Sequence, residues 1–281
     1  MGLKVKLLFT PEQYLLFTMR LFLELSKISF QRQITYRAAT LAGLATNFFF
    51  GLLRVAVLVA LYNEQNEVAG LTMTDAITFT ALSQATIAYL SMFRWFEVMN
   101  AVYTGDIASD LLKPMNYFTH WLGRDWGRAI ANLLMRGVTI MAIYALVFEI
   151  TVPQSAVQWL AVGVTLVLSW LVSFSWRFLV NLTAFWTPNA LGIIRFAFIL
   201  SWFMSGFLMP LRLFPDWFIT LCYLTPFPYT VNAIIEVYLG IASADQLFYL
   251  MLGQITWIII LVVAGQIALR AGIRHLVIQG G

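Results

Sequence analysis

The chain has 281 residues, 61% of them hydrophobic and only 11% charged, with a mean hydropathy of +0.82. A soluble domain draws about a quarter of its residues from Asp, Glu, Lys and Arg, so this composition excludes a water-facing globular surface; the length suits about six spans of about 20 residues with short connections. The net charge of +4 reads in such a chain as basic cytoplasmic loops rather than a nucleic-acid footprint, and the single cysteine, Cys222, excludes an intramolecular disulfide.

The first element, over 10–34, is expected to lie on the membrane rather than cross it. Thr10-Pro11-Glu12-Gln13 reads as a helix start, with Thr at the N-cap, Pro in the first turn and Gln as the third member of a capping box. Gln13, Arg20, Glu24, Lys27 and Gln31 then recur along one helical face, with Leu16, Phe17, Leu21, Leu23, Leu25, Ile28 and Phe30 on much of the rest. That pattern describes an amphipathic interfacial helix. No cleavable signal peptide is expected, because charges interrupt this stretch and no small-residue cleavage site follows it.

Uninterrupted apolar length gives six spans, at 38–62, 74–98, 129–148, 156–180, 191–209 and 247–269. Between the last two, Pro210, Pro215, Pro226 and Pro228 cut the apolar sequence into pieces too short to cross. Pieces of that length are re-entrant or interfacial, so 210–240 is expected to form short helices dipping into the outer leaflet, with Trp217, Tyr223, Tyr229 and Tyr238 as anchors. The fold class is therefore an all-α polytopic membrane protein in one transmembrane domain. On this threading thirteen basic residues fall on one side and Arg212 alone on the other. The positive-inside rule then places both termini in the cytoplasm.

The absent motifs narrow the chemistry. There is no Gly-rich phosphate loop followed by Lys-Ser/Thr, no paired histidines beyond the isolated His120 and His275, and no Gly-x-Ser-x-Gly elbow. A bound nucleotide, a metal site and a catalytic set in this chain are accordingly not expected. The informative positive is the loop 103–114. Thr104 is positioned to cap a short helix, Asp106 sits in its first turn, Lys113 in its last, and Pro114 stops it. Ile107, Leu111 and Leu112 form an apolar ridge suited to a groove on another protein, or to the membrane surface.

Gly105-Asp106-Ile107, followed by Asp110-Leu111-Leu112-Lys113-Pro114, resembles the coupling-helix region of ABC-2 type export permeases. Ser205-Gly206-Phe207, Pro210, Phe214-Pro215-Asp216-Trp217, Thr225-Pro226-Phe227 and Tyr229 resemble the fifth-span exit and outer re-entrant hairpin of that family. The six-span plan with its leading amphipathic helix extends the resemblance over nearly the whole chain, with the daunorubicin-exporter-like branch the nearest in pattern. It implies two cytosolic ATP-binding-cassette ATPases, which hold the ATP and Mg, and a second six-span permease half, identical or paralogous. Gly105, Asp106, Ile107, Asp110, Leu111, Leu112 and Lys113 would then engage the ATPase.

Ionisable and amide side chains inside the spans complete the candidates. A centre-of-membrane Arg costs about 2.5–3.5 kcal/mol on insertion scales, so Arg54, Arg94 and Arg136 should each face protein, water or a partner. Arg94 and Glu97, three residues apart, are expected to pair on one helical face. Asn47, Arg54, Gln84 and Arg136 are candidates for a route or a subunit interface. A secondary transporter or channel is the alternative function. The lack of midplane acids argues against ion coupling, since Glu97 and Glu149 both fall near span ends. The leading expectation is the membrane subunit of an ATP-driven exporter of an apolar or amphiphilic substrate, in a bacterial cell membrane.

Overall fold

The computed structural model describes residues 11–62, 67–93, 95–113 and 115–275. Thr10, Arg94 and Pro114, which carried sequence expectations, lie outside these residues. The chain is almost wholly helical, and four helices are long and apolar enough to cross a bilayer: Arg37–Ala60, Tyr117–Val147, Ala156–Phe185 and Ala244–Ile273.

Helix α1, Pro11–Thr35, does not lie apart from the bundle. It packs along α6, Tyr117–Asn132, where the two backbones nearly touch. A Cβ added at Gly127 would lie 1.9 Å from the Ser26 carbonyl oxygen, so only glycine permits this approach. Ser26 Oγ lies 2.9 Å from the Gly123 carbonyl and 2.8 Å from that of Phe22. The small-residue pairing that joins membrane helices operates here between α1 and a helix long and apolar enough to cross a bilayer.

Helix α2, Arg37–Tyr62, precedes a two-residue hairpin, β1 Glu67–Val68 antiparallel to β2 Leu71–Thr72. Thr72 caps α3, Met73–Tyr89, in a capping box with Asp75, which also accepts from Thr151 Oγ1 at 2.6 Å. The stretch expected as one helix over 74–98 is broken. After Tyr89 the chain turns, with Ser91 at φ 51°, and resumes as α4, Glu97–Tyr103. Side chains of neighbouring helices satisfy the freed carbonyls: Ser173 Oγ donates to Leu90 (2.9 Å), Trp202 Nε1 to Met92 (3.0 Å) and Asn181 Nδ2 to Trp95 (3.0 Å). Irregular backbone inside a bundle persists only with such partners.

Helix α5 is the five-residue Ile107–Leu111. Asn116 caps α6 by accepting from the Phe118 and Thr119 amides. The π-helical stretch Leu133–Val138 leads on into α7, Thr139–Val147, so this span begins well before the expected residue 129. Helix α8, Ala156–Asn181, carries the aromatic core face: Trp170, Phe174 and Phe178 pack against Trp95, Phe118 and Trp126.

Helix α9, Ala190–Met204, stops short of the expected residue 209, since Ser205-Gly206 turns the chain and the Ser205 carbonyl accepts from the Asn232 amide. Two short helices follow, α10 Asp216–Tyr223 and α11 Val231–Leu239, before α12, Ala244–Ile273. Of the expected anchors, Trp217 is exposed, whereas Tyr238 is buried. Tyr229 packs on Gly253 of α12, and Tyr223 takes a hydrogen bond from Asn232 (3.2 Å). Tyr229 and Tyr238, the latter against the Trp159 ring, thus join the hairpin to the bundle, and Tyr223 braces its two short helices against each other.

Candidate functional site

The segment between α3 and α6 is fastened to the bundle at its base and open at its tip. Glu97 begins α4, and its carboxylate is paired with Arg128 of α6. Asn181 on α8 grips the same stretch twice, accepting from the Met99 amide (3.2 Å) and donating to the Trp95 carbonyl. Tyr103 Oη donates to the Thr187 carbonyl (2.9 Å) and accepts from the Ala190 amide (3.0 Å), which ties the end of α4 to the start of α9. Gly105 then turns at φ 78°, a left-handed conformation that favours glycine.

The α5 segment differs in detail from its sequence reading. Asp106, not Thr104, occupies the N-cap position, and Thr104 Oγ1 lies 2.7 Å from Asp106 Oδ2. Ile107 is fully buried and Leu111 half-buried, so the expected apolar ridge is mostly an anchor. What the tip presents outward is Leu112, Tyr103 and Lys113; Lys113 pairs with Asp110 at 2.5 Å. An exposed pair of this kind contributes little stability, on the order of 0–1 kcal/mol.

Beneath the tip sits a charge cluster that the sequence analysis missed. Asp125 on α6 accepts from Arg177 Nη1 (3.2 Å) and Nη2 (2.9 Å) of α8 and from Trp170 Nε1 (2.9 Å), and it also pairs with Arg128. Asp125 and Arg177 are each 2% exposed. The guanidinium of Arg177 also lies 5.1 Å from the Trp95 ring centre. Arg128 bridges Asp125 to Glu97, so four ionised side chains join α4, α6 and α8. The available signal was Gly123-Arg124-Asp125-Trp126-Gly127-Arg128, in which an i, i+3 ion pair overlaps a Gly-x-x-x-Gly step. Reading Arg124, Arg128 and Arg177 only as markers of sidedness hid it.

The four side chains expected at a route or interface come together. Asn47, Arg54, Gln84 and Arg136 all line one cavity of about 780 Å3 between α2, α3, the π-helical stretch and the end of α9. Arg54 Nη1 donates to the Phe207 carbonyl (2.9 Å), and its guanidinium lies 4.3 Å from the Phe207 ring centre. Oriented so that Nδ2 donates to the Gly43 carbonyl (3.2 Å), Asn47 accepts from Arg136 Nη2 (3.2 Å); the opposite orientation would point amide hydrogens at the guanidinium. Gly43 leaves the room that Arg136 fills. Phe50, Phe93 and Trp202 supply apolar wall. Large, mostly apolar hollows with a few placed polar groups are the usual form of a small-molecule site. The other expected pair cannot be placed, because Arg94 lies outside the described residues; the Glu97 Oε1 position is taken by Arg128. No cluster of His, Cys, Asp and Glu suited to a metal occurs among the described residues.

Four long apolar helices packed into one bundle define a multi-pass α-helical membrane protein. The chain belongs to the ABC-2 family of transporter proteins, whose family model matches residues 48–280. It is thus a permease component of an ABC transporter; the family is a transmembrane component without the ATPase domain and implies partnering with an ABC ATPase and a membrane permease. No curated protein matches the chain.

Proposed function

We propose that the chain is one half of an ATP-driven exporter that moves an apolar or amphiphilic substrate out of the cytoplasm or the inner leaflet. Two cytosolic ATPases, holding ATP and Mg, grip the 105–113 segment of each permease half, and the second half is a copy or a paralogue. The chain crosses a bacterial cell membrane six times, with α3 and α9 as the short crossings, both termini in the cytoplasm and α10–α11 in the outer leaflet. The charge distribution of the loops supports this threading.

The observation that carries the reading is the build of the coupling segment. A lever needs a rigid base and an accessible tip. Ile107, Asn181 and the Glu97–Arg128 pair supply the base, while Leu112 and Lys113 stand outside. ATP-driven closure would push on the tip and shift α4, α6 and α8 together, opening the lateral cavity to the other side. Transport follows only if the substrate meets different affinities in the two states.

The test is Leu112→Asp in the full complex. Membrane insertion and ATPase binding-site integrity should persist, while substrate-stimulated ATPase activity and export disappear. Unchanged activity, or placement of Ser109 on the external face by site-directed labelling, would defeat the proposal.

A further inference from the structure

A second cavity, of about 280 Å3, lies between α1 and the first half of α6. Arg32 and Gln33 of α1 face Arg124 and Arg128 of α6 across it, and its acids among the described residues are Glu97 and Asp125. Both acids are already matched, Glu97 by Arg128 and Asp125 by Arg177 and Arg128. Among the described residues neither Arg32 nor Arg124 forms an ion pair. Arg124 lies over the Trp121 ring at 4.5 Å; Glu97 and Asp110 attract it, whereas Arg32 and Arg128 repel it. Two cations without a direct ion pair among the described residues therefore share a hollow with room for several water molecules.

We propose that this cavity binds the phosphate of an anionic phospholipid headgroup, clamped between Arg32 and Arg124. Guanidinium groups match phosphate oxygens with paired donors, and Gln33, whose Nε2 donates one hydrogen to Asn132 Oδ1 (3.1 Å), has a second amide hydrogen on the same wall. The surroundings select a lipid over a soluble phosphate. Ile28, one helical turn before Arg32 and on the same face of α1, is exposed, so an acyl chain leaving the cavity meets apolar surface beside it. Basic pockets between membrane helices take anionic headgroups by the same chemistry. The site touches α1, α4 and α6 at once and lies next to the 105–113 segment, so an occupant would brace the base of that segment. The inference needs only that the chain lies in a membrane and does not depend on what it transports.

The full chain, purified in neutral detergent, is titrated with dioleoyl phosphatidylglycerol, with dioleoyl phosphatidylcholine and with inorganic phosphate. Retained lipid is counted by native mass spectrometry and the melting temperature is followed in parallel. Phosphatidylglycerol should be retained and raise the melting temperature, and neither phosphatidylcholine nor inorganic phosphate should compete with it. In the Arg32→Gln, Arg124→Gln double variant retention should fall about thirtyfold, from the increment each basic side chain adds near an anionic headgroup. Arg270→Gln, a basic change on α12, should leave it unaltered. Arg32 is exposed, so Arg32→Glu alone keeps the fold and provides a second reading, with phosphatidylglycerol lost and phosphatidylcholine unchanged. Equal retention of the two lipids, equal retention by wild type and double variant, or displacement of the lipid by inorganic phosphate would each overturn the proposal.

Discussion

Asp125→Asn isolates the charge at the centre of the cluster, because the amide keeps the carboxylate's size and removes only its charge. Arg177, 2% exposed, would then retain Ser173 Oγ at 3.3 Å, the Trp95 ring and a neutral amide oxygen, with no counter-charge. Arg128 would fall back on Glu97. Removing one partner of a buried pair costs about 3–5 kcal/mol, since the surviving charge stays desolvated. At the unfolding entropy of ordinary proteins that loss lowers the melting temperature of a chain this size by roughly 5–8 °C. Differential scanning fluorimetry in detergent measures it. The paired replacement Asp125→Leu, Arg177→Met removes both charges and should recover most of the loss, because a buried ion pair adds little over well-packed apolar groups of similar volume. A single variant that melts within about 1 °C of wild type, or a double variant no better than the single, would refute the claim that these two charges depend on each other.

Gly127→Ala places a Cβ 1.9 Å from backbone, the Ser26 carbonyl oxygen, so α1 must slide; a stability loss of about 1–3 kcal/mol is expected, with increased protease access to α1. Gly43→Ala places its Cβ 2.5 Å from Arg136 Nη2, the far end of a flexible side chain. It should cost no more than about 0.5 kcal/mol, and an equal loss from both variants would show that the distinction fails. Ile107→Ala, at a fully buried position, should destabilise by about 2–5 kcal/mol. Leu112→Ala should leave the melting temperature unchanged and lower ATPase stimulation. Gln254→Leu removes donations to Ser169 Oγ (2.9 Å) and the Tyr229 carbonyl (3.1 Å); a loss of about 0.6–1.7 kcal/mol in unfolding free energy is expected for such membrane hydrogen bonds.

Apolar length reads well where a helix shows a long side to lipid. The helices over Ala156–Asn181 and Ala244–Ile273 occupy the stretches expected as 156–180 and 247–269, with several residues added to the latter. It reads poorly where protein surrounds the chain. The 74–98 stretch looks continuous because its break leaves no proline or charge run behind; the partners that make the break affordable, Ser173, Asn181 and Trp202, come from distant sequence. The early start of α6 was hidden by its polar half, whose charges face one another and α1 rather than water. Asn47, Arg54, Gln84 and Arg136 stood out singly, as polar side chains inside spans that need protein, water or a partner; that they share one cavity comes from helix packing and has no sign in their spacing. Asp125 escaped because a single acid near a span end carries no periodicity, and its role exists only through Arg177 on another helix.

From Thr78 to Tyr89, every residue of α3 is buried, and the helix carries Thr78, Thr80, Ser83, Gln84 and Thr86 on that buried surface. Such a segment gains little by entering hydrocarbon on its own. Its stable place exists only once α2, α6, α7 and α11 stand around it. During synthesis the ribosome delivers α3 before three of those four neighbours, so the nascent chain must hold a semi-polar helix in waiting until the later spans arrive. On the proposed six-span threading, biogenesis is therefore most vulnerable at α3, and substitutions that weaken α6 or α11 would surface first as failed insertion of that helix.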